Sequence, residues 1–321
     1  MNETRFQPLT KILVPIDGSE PSKRAVVFAG CMSRIVDHVE MITLLHVLAG
    51  GYLARHMSNI DVRAGHLIKS DMFFKLKEQH IAKEVVPMMD EAERLLKELE
   101  IKAVVNKDVV DGVPVDAILE VAEKGGYSTI VMGRRGLSPV KEVLVGSVTS
   151  GLLHKAVHPT VYVVGHKVLE SEQKCPIPRI LIPVDGSPGS LGALKEMAAF
   201  GSKANGCVEK VILLRVVDVA KYEKALKEGK ALEDEALEIL KDCKNRLINS
   251  GIQEDRIEML ARYGRPAETI LDVAKENDVN IIIIGRKGRS AVKEIVMGSV
   301  SSQVLHKAVE PTVAIVCSST D

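Results

Sequence analysis

The segment GRRGLSPVKEVLVGSVTSGLLHKAVHPTVYVV at residues 133–164 returns as GRKGRSAVKEIVMGSVSSQVLHKAVEPTVAIV at residues 285–316 without a gap. The opening KILVPIDGSE at residues 11–20 likewise returns as RILIPVDGSP at residues 179–188. A match of 32 residues between two parts of one chain indicates that its halves share ancestry and fold. The whole chain of 321 residues has the length of about two ordinary domains.

Each half reads as five strands that alternate with helices. Short apolar runs such as LIPV and IIIIG are rich in Ile and Val, which is typical of strands buried on both faces. The alternation predicts the α/β class, with two tandem doubly wound, Rossmann-like sheets of five parallel-type strands and helices on both faces. In the second half the strands are predicted at 179–184, 208–217, 256–262, 280–284 and 312–317.

The expected domains are residues 1–166 and 177–321, joined by a linker at 167–176. The linker lies in the polar stretch HKVLESEQKCPIP, whose prolines disfavour continued helix or sheet. The first domain carries about 16 extra residues, which we place as an insertion near 50–70. This insertion follows the second strand at its carboxyl end, where ligands of such sheets bind, so it is expected to lie over a bound base. A longer surface loop or an oligomer contact is the alternative.

Composition and charge exclude several classes of function. Lys plus Arg and Asp plus Glu both number 43, so the chain lacks the basic excess expected of a nucleic-acid binder. It also lacks an apolar run of about 20 residues and a signal-peptide core, so no membrane contact and a cytoplasmic location are expected. Five cysteines without a CxxC pair favour reduced thiols over a disulfide framework or a zinc site. No metal site built from protein side chains is predicted.

The fourth strand of each half ends in the pattern Gly-x2-Gly-x9-Gly-Ser. Glycines let the backbone approach an anion closely, and the N-terminus of the helix that follows adds N–H groups and a favourable dipole. The serine is expected to cap this helix. The pattern therefore predicts a phosphate-binding loop in each half, the alternative being that the glycines serve only tight turns and close packing. Its members are Gly133, Gly136, Gly146 and Ser147 in the first half, and Gly285, Gly288, Gly298 and Ser299 in the second.

Charged residues near these loops have two interpretations each. Asp17 and Asp185, just after the first strand of each half, can accept hydrogen bonds from an adenine amine or a ribose hydroxyl. Alternatively, each aspartate only fixes its own turn through an Asx-type bond. Arg134-Arg135 and Arg286-Lys287 lie between the loop glycines, where they either pair with phosphates or form solvated surface charge.

The glycine pattern, together with IDGSEPS and VDGSPGS after the first strands, resembles the universal stress protein family in its tandem, ATP-binding form. The resemblance covers nearly the whole chain twice and implies an adenine nucleotide α-hydrolase-like fold. It implies ATP, or AMP or ADP, bound with Mg²⁺ across the carboxyl ends of the strands. The residues implied in the first half are Pro15, Asp17, Val47, Met132, Gly133, Arg134, Gly136, Gly146, Ser147 and Val148. Their counterparts in the second half are Pro183, Asp185, Val216, Ile284, Gly285, Arg286, Gly288, Gly298, Ser299 and Val300.

The expected function is that of an ATP-binding regulatory or stress-protective protein. No motif places a catalytic base or nucleophile, and no GxxxxGK[ST] loop is present, so no enzyme is expected beyond slow or partner-dependent ATP hydrolysis. The two halves are expected to pack as an intrachain pseudo-dimer through their last strands, at 160–165 and 312–317, because each is an apolar edge that must be covered. A homodimer and an unknown protein partner are further expectations. The alternatives are an enzyme of the same fold and an interaction module for another small ligand.

Overall fold

The computed structural model describes residues 8–49, 71–135, 145–156, 158–167, 177–201, 206–219, 232–288 and 297–317. Most of the predicted insertion and linker, and the middle of both glycine-rich loops, lie outside these ranges. The expectation that the insertion covers a bound base therefore stays a prediction.

The first half alternates strands and helices as the sequence predicts. A π-helical turn at Ile81–Val85 separates α2 from α3 just before Pro87, which has no N–H to donate to a regular helix. The elements are β1 (Lys11–Pro15), α1 (Glu20–Ile35), β2 (Met41–Leu48), α2 (Asp71–His80), α3 (Val86–Glu98), β3 (Val104–Asp111), α4 (Pro114–Lys124), β4 (Thr129–Gly133), α5 (Ser147–Lys155) and β5 (Thr160–Val164).

The second half repeats the same order of strands. Its elements are β6 (Arg179–Pro183), α6 (Pro188–Ala198), β7 (Lys210–Asp218), α7 (Leu232–Asn249), β8 (Ile257–Gly264), α8 (Pro266–Glu276), β9 (Ile281–Gly285), α9 (Ser299–Lys307) and β10 (Thr312–Val316).

The ten strands form one sheet in the order β3-β2-β1-β4-β5-β10-β9-β6-β7-β8. Neighbouring strands within each half are parallel, which confirms the predicted α/β class. The two halves meet where β5 pairs antiparallel with β10, and Tyr162 lies opposite Ala314. The predicted meeting of the last strands is therefore confirmed, and the two expected sheets are continuous.

Apolar side chains from both halves mix in the core on each face of this sheet. One cluster contains Tyr162 of β5 and Ala314 of β10, and the cluster on the opposite face contains Val163 and Val313. The strands β4, β5, β9 and β10 are buried throughout. The strands at the boundary between the halves are therefore as fully buried as the core strands within each half.

The prediction that all five cysteines are reduced is wrong for Cys207. Cys31, Cys243 and Cys317 are free thiols, whereas Cys207 is disulfide-bonded. Cysteine spacing alone missed this bond because pairing depends on which segments the fold brings together.

A buried carboxyl group lies where the halves meet. Glu196 of α6 is 1% exposed. Its carboxyl oxygens accept hydrogen bonds from the Tyr162 hydroxyl at 2.7 Å and the Thr160 hydroxyl at 3.1 Å, both on β5 of the other half. Burial raises the pKa of Glu196 to about 7, although these two hydrogen bonds act to lower it. The ring of Phe28 on α1 packs against Tyr162, with ring centroids 5.9 Å apart.

Glu196 is expected to make stability depend on pH. The unfolded carboxyl releases its proton near pH 4.5 and the folded one near pH 7, so the folded state holds more protons in between. The free energy of unfolding should therefore fall as pH rises across this window, by up to about 3 kcal/mol. Glu196→Gln, which imitates the neutral form, should flatten this slope in denaturant titrations from pH 4.5 to 8. Glu123→Gln on the exposed face of α4 is the control, and equal slopes for Glu196→Gln and wild type would contradict the assignment.

Candidate functional site

The strand order within each half creates a crevice at the carboxyl ends of the strands. The connection after β1 leads to β2 on one side, whereas β4 lies on the other side of β1. Ligands of open α/β sheets bind at such a switch point, outside the carboxyl ends of the strands. The corresponding crevice in the second half lies between β6 and β9.

The structure brings most of the predicted residues of the first half to this end of the sheet. Pro15 ends β1 and Asp17 follows it, while Met132 and Gly133 end β4. Val47 is the next-to-last residue of the neighbouring strand β2. Gly136 lies outside the described residues.

The second half places the equivalent residues in the same way. Pro183 ends β6 and Asp185 follows it, while Ile284 and Gly285 end β9. Val216 lies near the end of β7 and is buried. Val148 and Val300, in the first turns of α5 and α9, are half-buried against the core.

Each aspartate fixes its own turn, as the alternative interpretation predicted. The Asp17 carboxylate accepts hydrogen bonds from the backbone N–H of Ser19 at 3.1 Å and from its hydroxyl at 2.6 Å. Asp185 accepts from the backbone N–H of Ser187 at 3.0 Å. Ser19 and Ser187 in turn cap α1 and α6. The turn holds each carboxylate at the mouth of the crevice.

Asp185 also lies next to the glycine-rich loop. A Cβ atom built at Gly288 would be 2.8 Å from the second carboxylate oxygen, Oδ2, of Asp185. Fixing the turn therefore leaves this carboxylate oxygen beside the loop, and the two proposed roles of Asp185 are compatible.

Each glycine-rich loop is closed by a backbone hydrogen bond. The N–H of Gly146 donates to the carbonyl of Arg134 at 2.9 Å, and the N–H of Gly298 donates to the carbonyl of Arg286 at 2.8 Å. In the second half the hydroxyl of Ser301 also donates to the Arg286 carbonyl, at 2.8 Å. The start of α5 or α9 is thereby held against the end of the preceding strand.

The expectation that serine caps these helices is wrong. Gly146 and Gly298 are the N-cap residues, and neither supplies a side-chain cap. Ser147 and Ser299 are the first helical residues, and both are exposed. The first-turn N–H groups therefore lack the serine cap that the sequence suggested, and N–H groups of this kind are those that bind anions.

The glycines do not all serve the same purpose. A Cβ atom at Gly133 would lie 2.6 Å from the carbonyl group of Pro21, and one at Gly285 would lie 2.4 Å from the carbonyl carbon of Gly189. These two glycines therefore let α1 and α6 pack against the strand ends, as the structural alternative predicted. At Gly298 the nearest atoms are 3.1 Å and 3.3 Å away, so the loop has more room there.

The side chains of Arg134 and Arg286 fit neither predicted interpretation. Arg134 is 3% exposed and donates to the backbone carbonyls of Leu305, His306 and Ala308, at 2.9 Å to His306 and 2.8 Å to Ala308. Arg286 is buried and donates to the carbonyl of His154 at 2.9 Å. Each guanidinium thus contacts the C-terminal end of a helix in the other half. Phosphate pairing or solvated surface charge was wrong for these two side chains, although their main chains still form the loops.

Burial lowers the pKa of Arg134 to about 10, with a smaller contribution from the charge of Arg135. The guanidinium therefore stays charged at neutral pH. A cation at a helix C-terminus is favourable because the last carbonyls carry partial negative charge. Sequence reasoning missed this contact, since the only signal was a basic residue present at the same loop position in both halves.

Among the described residues, no group of three or more His, Cys, Asp or Glu side chains is arranged to hold a metal ion. Within that part of the chain, no helix is long and apolar enough to span a bilayer.

The family model of universal stress proteins matches residues 8–164 and again residues 176–315. The chain belongs to the universal stress protein family. A universal stress protein of Mycolicibacterium smegmatis is 27% identical over 323 residues, which cover 95% of this chain and 96% of that protein. A universal stress protein of Methanocaldococcus jannaschii is 30% identical over 159 residues, 43% of this chain and 93% of that protein.

The solved structure of a universal stress protein from Archaeoglobus fulgidus shares the fold. It has a TM-score of 0.65 and 24% identity, and the match covers 96% of this chain and 98% of that one. Full-length matches to this structure and to the Mycolicibacterium smegmatis protein agree with a tandem of two universal stress protein domains.

The two roles of glycine in these universal stress protein domains can be separated by alanine substitution. Gly285→Ala forces the new Cβ onto the backbone of Gly189 and should cost about 1–3 kcal/mol or more. Gly298→Ala brings the new Cβ to 3.1 Å from the Arg286 carbonyl oxygen, which a shift of a few tenths of an ångström relieves, so it should cost less than Gly285→Ala, about 1 kcal/mol. Urea unfolding midpoints of the full chain measure the difference. Equal midpoints for the two variants would contradict a packing role for Gly285.

Proposed function

We propose that this universal stress protein is an ATP-binding regulatory or stress-protective protein that holds one nucleotide in each half. The observation that carries the proposal is the repeated geometry at the two crevices. In each half, a turn-fixed aspartate follows the first strand, and a glycine-rich loop closed by one backbone hydrogen bond leads into an uncapped helix N-terminus. This combination provides what phosphate binding needs, namely N–H groups and space for a close approach.

Within each site, the residues divide into an adenine side and a phosphate side. The ends of the first and second strands, including Asp17 and Val47, or Asp185 and Val216, are assigned to the base and ribose. The loop and the helix start at Gly146 or Gly298 are assigned to the phosphates. Mg²⁺ would be held mainly by phosphate oxygens and water, which is its usual way of binding to nucleotides.

No catalytic residue is part of the proposal. The sequence contains no lysine-bearing phosphate loop, and the carboxylate nearest to each crevice is already engaged in its own turn. Any ATP hydrolysis is therefore expected to be slow or to depend on a protein partner. A cytoplasmic location is part of the same proposal and follows the family resemblance.

Two substitutions test the sites one at a time. A branched side chain in Gly146→Val or Gly298→Val should obstruct the approach of phosphates to the helix start. Isothermal titration with Mg²⁺ and ATP should give two nucleotides per chain for wild type, one for each variant and none for the double variant. GTP should bind more weakly than ATP, because Asp17 and Asp185 at the strand ends are expected to accept a hydrogen bond from the adenine amine.

Gly206→Val is the matched control for these variants. Gly206 precedes the amino end of β7, whereas the proposed sites lie at the carboxyl ends of the strands. A Cβ atom at Gly206 meets nothing within 4 Å. This control should keep both sites. Two nucleotides per chain in both loop variants would show that the glycine-rich loops do not hold the phosphates.

A further inference from the structure

Arg134 makes hydrogen bonds in both halves of the chain. Its backbone carbonyl accepts the hydrogen bond from Gly146 that closes the first loop. Its guanidinium crosses to the second half and binds the carbonyls of Leu305, His306 and Ala308, where α9 ends. One residue therefore contacts the start of α5 and the end of α9.

Arg286 repeats this arrangement in the opposite direction. Its backbone carbonyl accepts the hydrogen bond from Gly298 that closes the second loop. Its guanidinium donates to the carbonyl of His154, in the last turn of α5. The start of α9 and the end of α5 are thus joined through this second residue.

The helices connect these contacts to the opposite sites. α9 is nine residues long, which corresponds to about 13 Å, and it begins at the loop assigned to the phosphates of the second site. A helix of this length moves as a rigid element, so a contact at its last turn influences the position of its first N–H groups. The charge of each buried arginine also acts along the helix axis, because it faces the negative end of the helix dipole.

We propose that Arg134 and Arg286 are positioning residues that couple the two nucleotide sites, each holding the phosphate-binding helix of the site in the other half. The inference rests on the proposed function, since it concerns the regulation of the same two sites. It differs from the usual expectation for a basic residue in a phosphate loop, because the effect of each arginine is on the opposite site and not on its own.

The test compares the effect of Arg134→Met on each site separately, in the full chain. With Gly146→Val blocking the first site, titration with Mg²⁺ and ATP reads the second site alone. Here Arg134→Met should raise the Kd of the second site about tenfold, within the range of about 5–150-fold typical of couplings between sites. With Gly298→Val blocking the second site instead, the same substitution should change the Kd of the first site by less than about threefold. Arg286→Met should show the reverse pattern.

Two further variants separate positioning from general damage. Arg134→Lys keeps the positive charge at the end of α9 and should restore part of the lost affinity. If Arg134→Met does not fold, the lysine variant carries the same comparison with a smaller expected shift. Arg135→Met removes the neighbouring cation from the same loop and should leave the second site unchanged.

The outcomes are distinct. Equal weakening of both sites, or weakening of the first site only, would overturn the coupling, since these are the results expected of a structural residue or of a direct phosphate contact. An unchanged second site would overturn it as well. If the Gly146→Val protein binds no ATP at all, the second site does not bind nucleotide. That result would refute the proposed function at this site and, with it, the proposed coupling.

Discussion

The antiparallel pairing of β5 with β10 is the contact on which the rest of the structure depends. Without it, each half would expose a mostly apolar strand at a sheet edge, where it could pair with another chain and aggregate. The pairing joins two five-stranded sheets into one and brings the helices of each half within reach of the other half. Both the buried carboxyl of Glu196 and the buried guanidinium of Arg134 find partners only because of it.

These two buried ionisable groups meet the cost of desolvation in different ways. Arg134 keeps its charge because three backbone carbonyls at a helix end surround it, and these carbonyls would themselves lack partners at the last turn of α9. Burial raises the pKa of Glu196 towards neutrality, because the two neutral hydroxyl donors that it receives among the described residues offset only part of the desolvation. The boundary between the halves therefore combines fixed positive charge, such as that of Arg134, with the Glu196 carboxyl, which titrates near physiological pH.

The sequence predicted the fold and the location of the crevices well, because both depend on local patterns that the duplication shows twice. The apolar runs predicted the strands, and the apolar edges predicted how the halves meet. The same reasoning failed for Arg134, since a basic residue after a glycine looks alike whether it faces phosphate, water or a distant helix end. It also misassigned the cap of α5 to Ser147, because the helix starts one residue earlier than expected, with Gly146 as its N-cap. The first error concerns the direction of a side chain, which the packing of the two halves decides, and the second concerns the exact start of a helix, which the sequence pattern does not give to one residue.

The two halves have diverged where they meet, although their loops remain alike. Tyr162 lies opposite Ala314 across the paired strands, and the place that Phe28 takes on α1 is taken by Glu196 on α6. A large ring facing a small methyl group packs well, whereas two tyrosines would compete for the same space and two alanines would leave a gap. The Tyr162 hydroxyl also needs the Glu196 carboxyl, which only the second half provides. The boundary is therefore built for unlike halves, an arrangement available to a tandem chain and not to a symmetric pair of single domains.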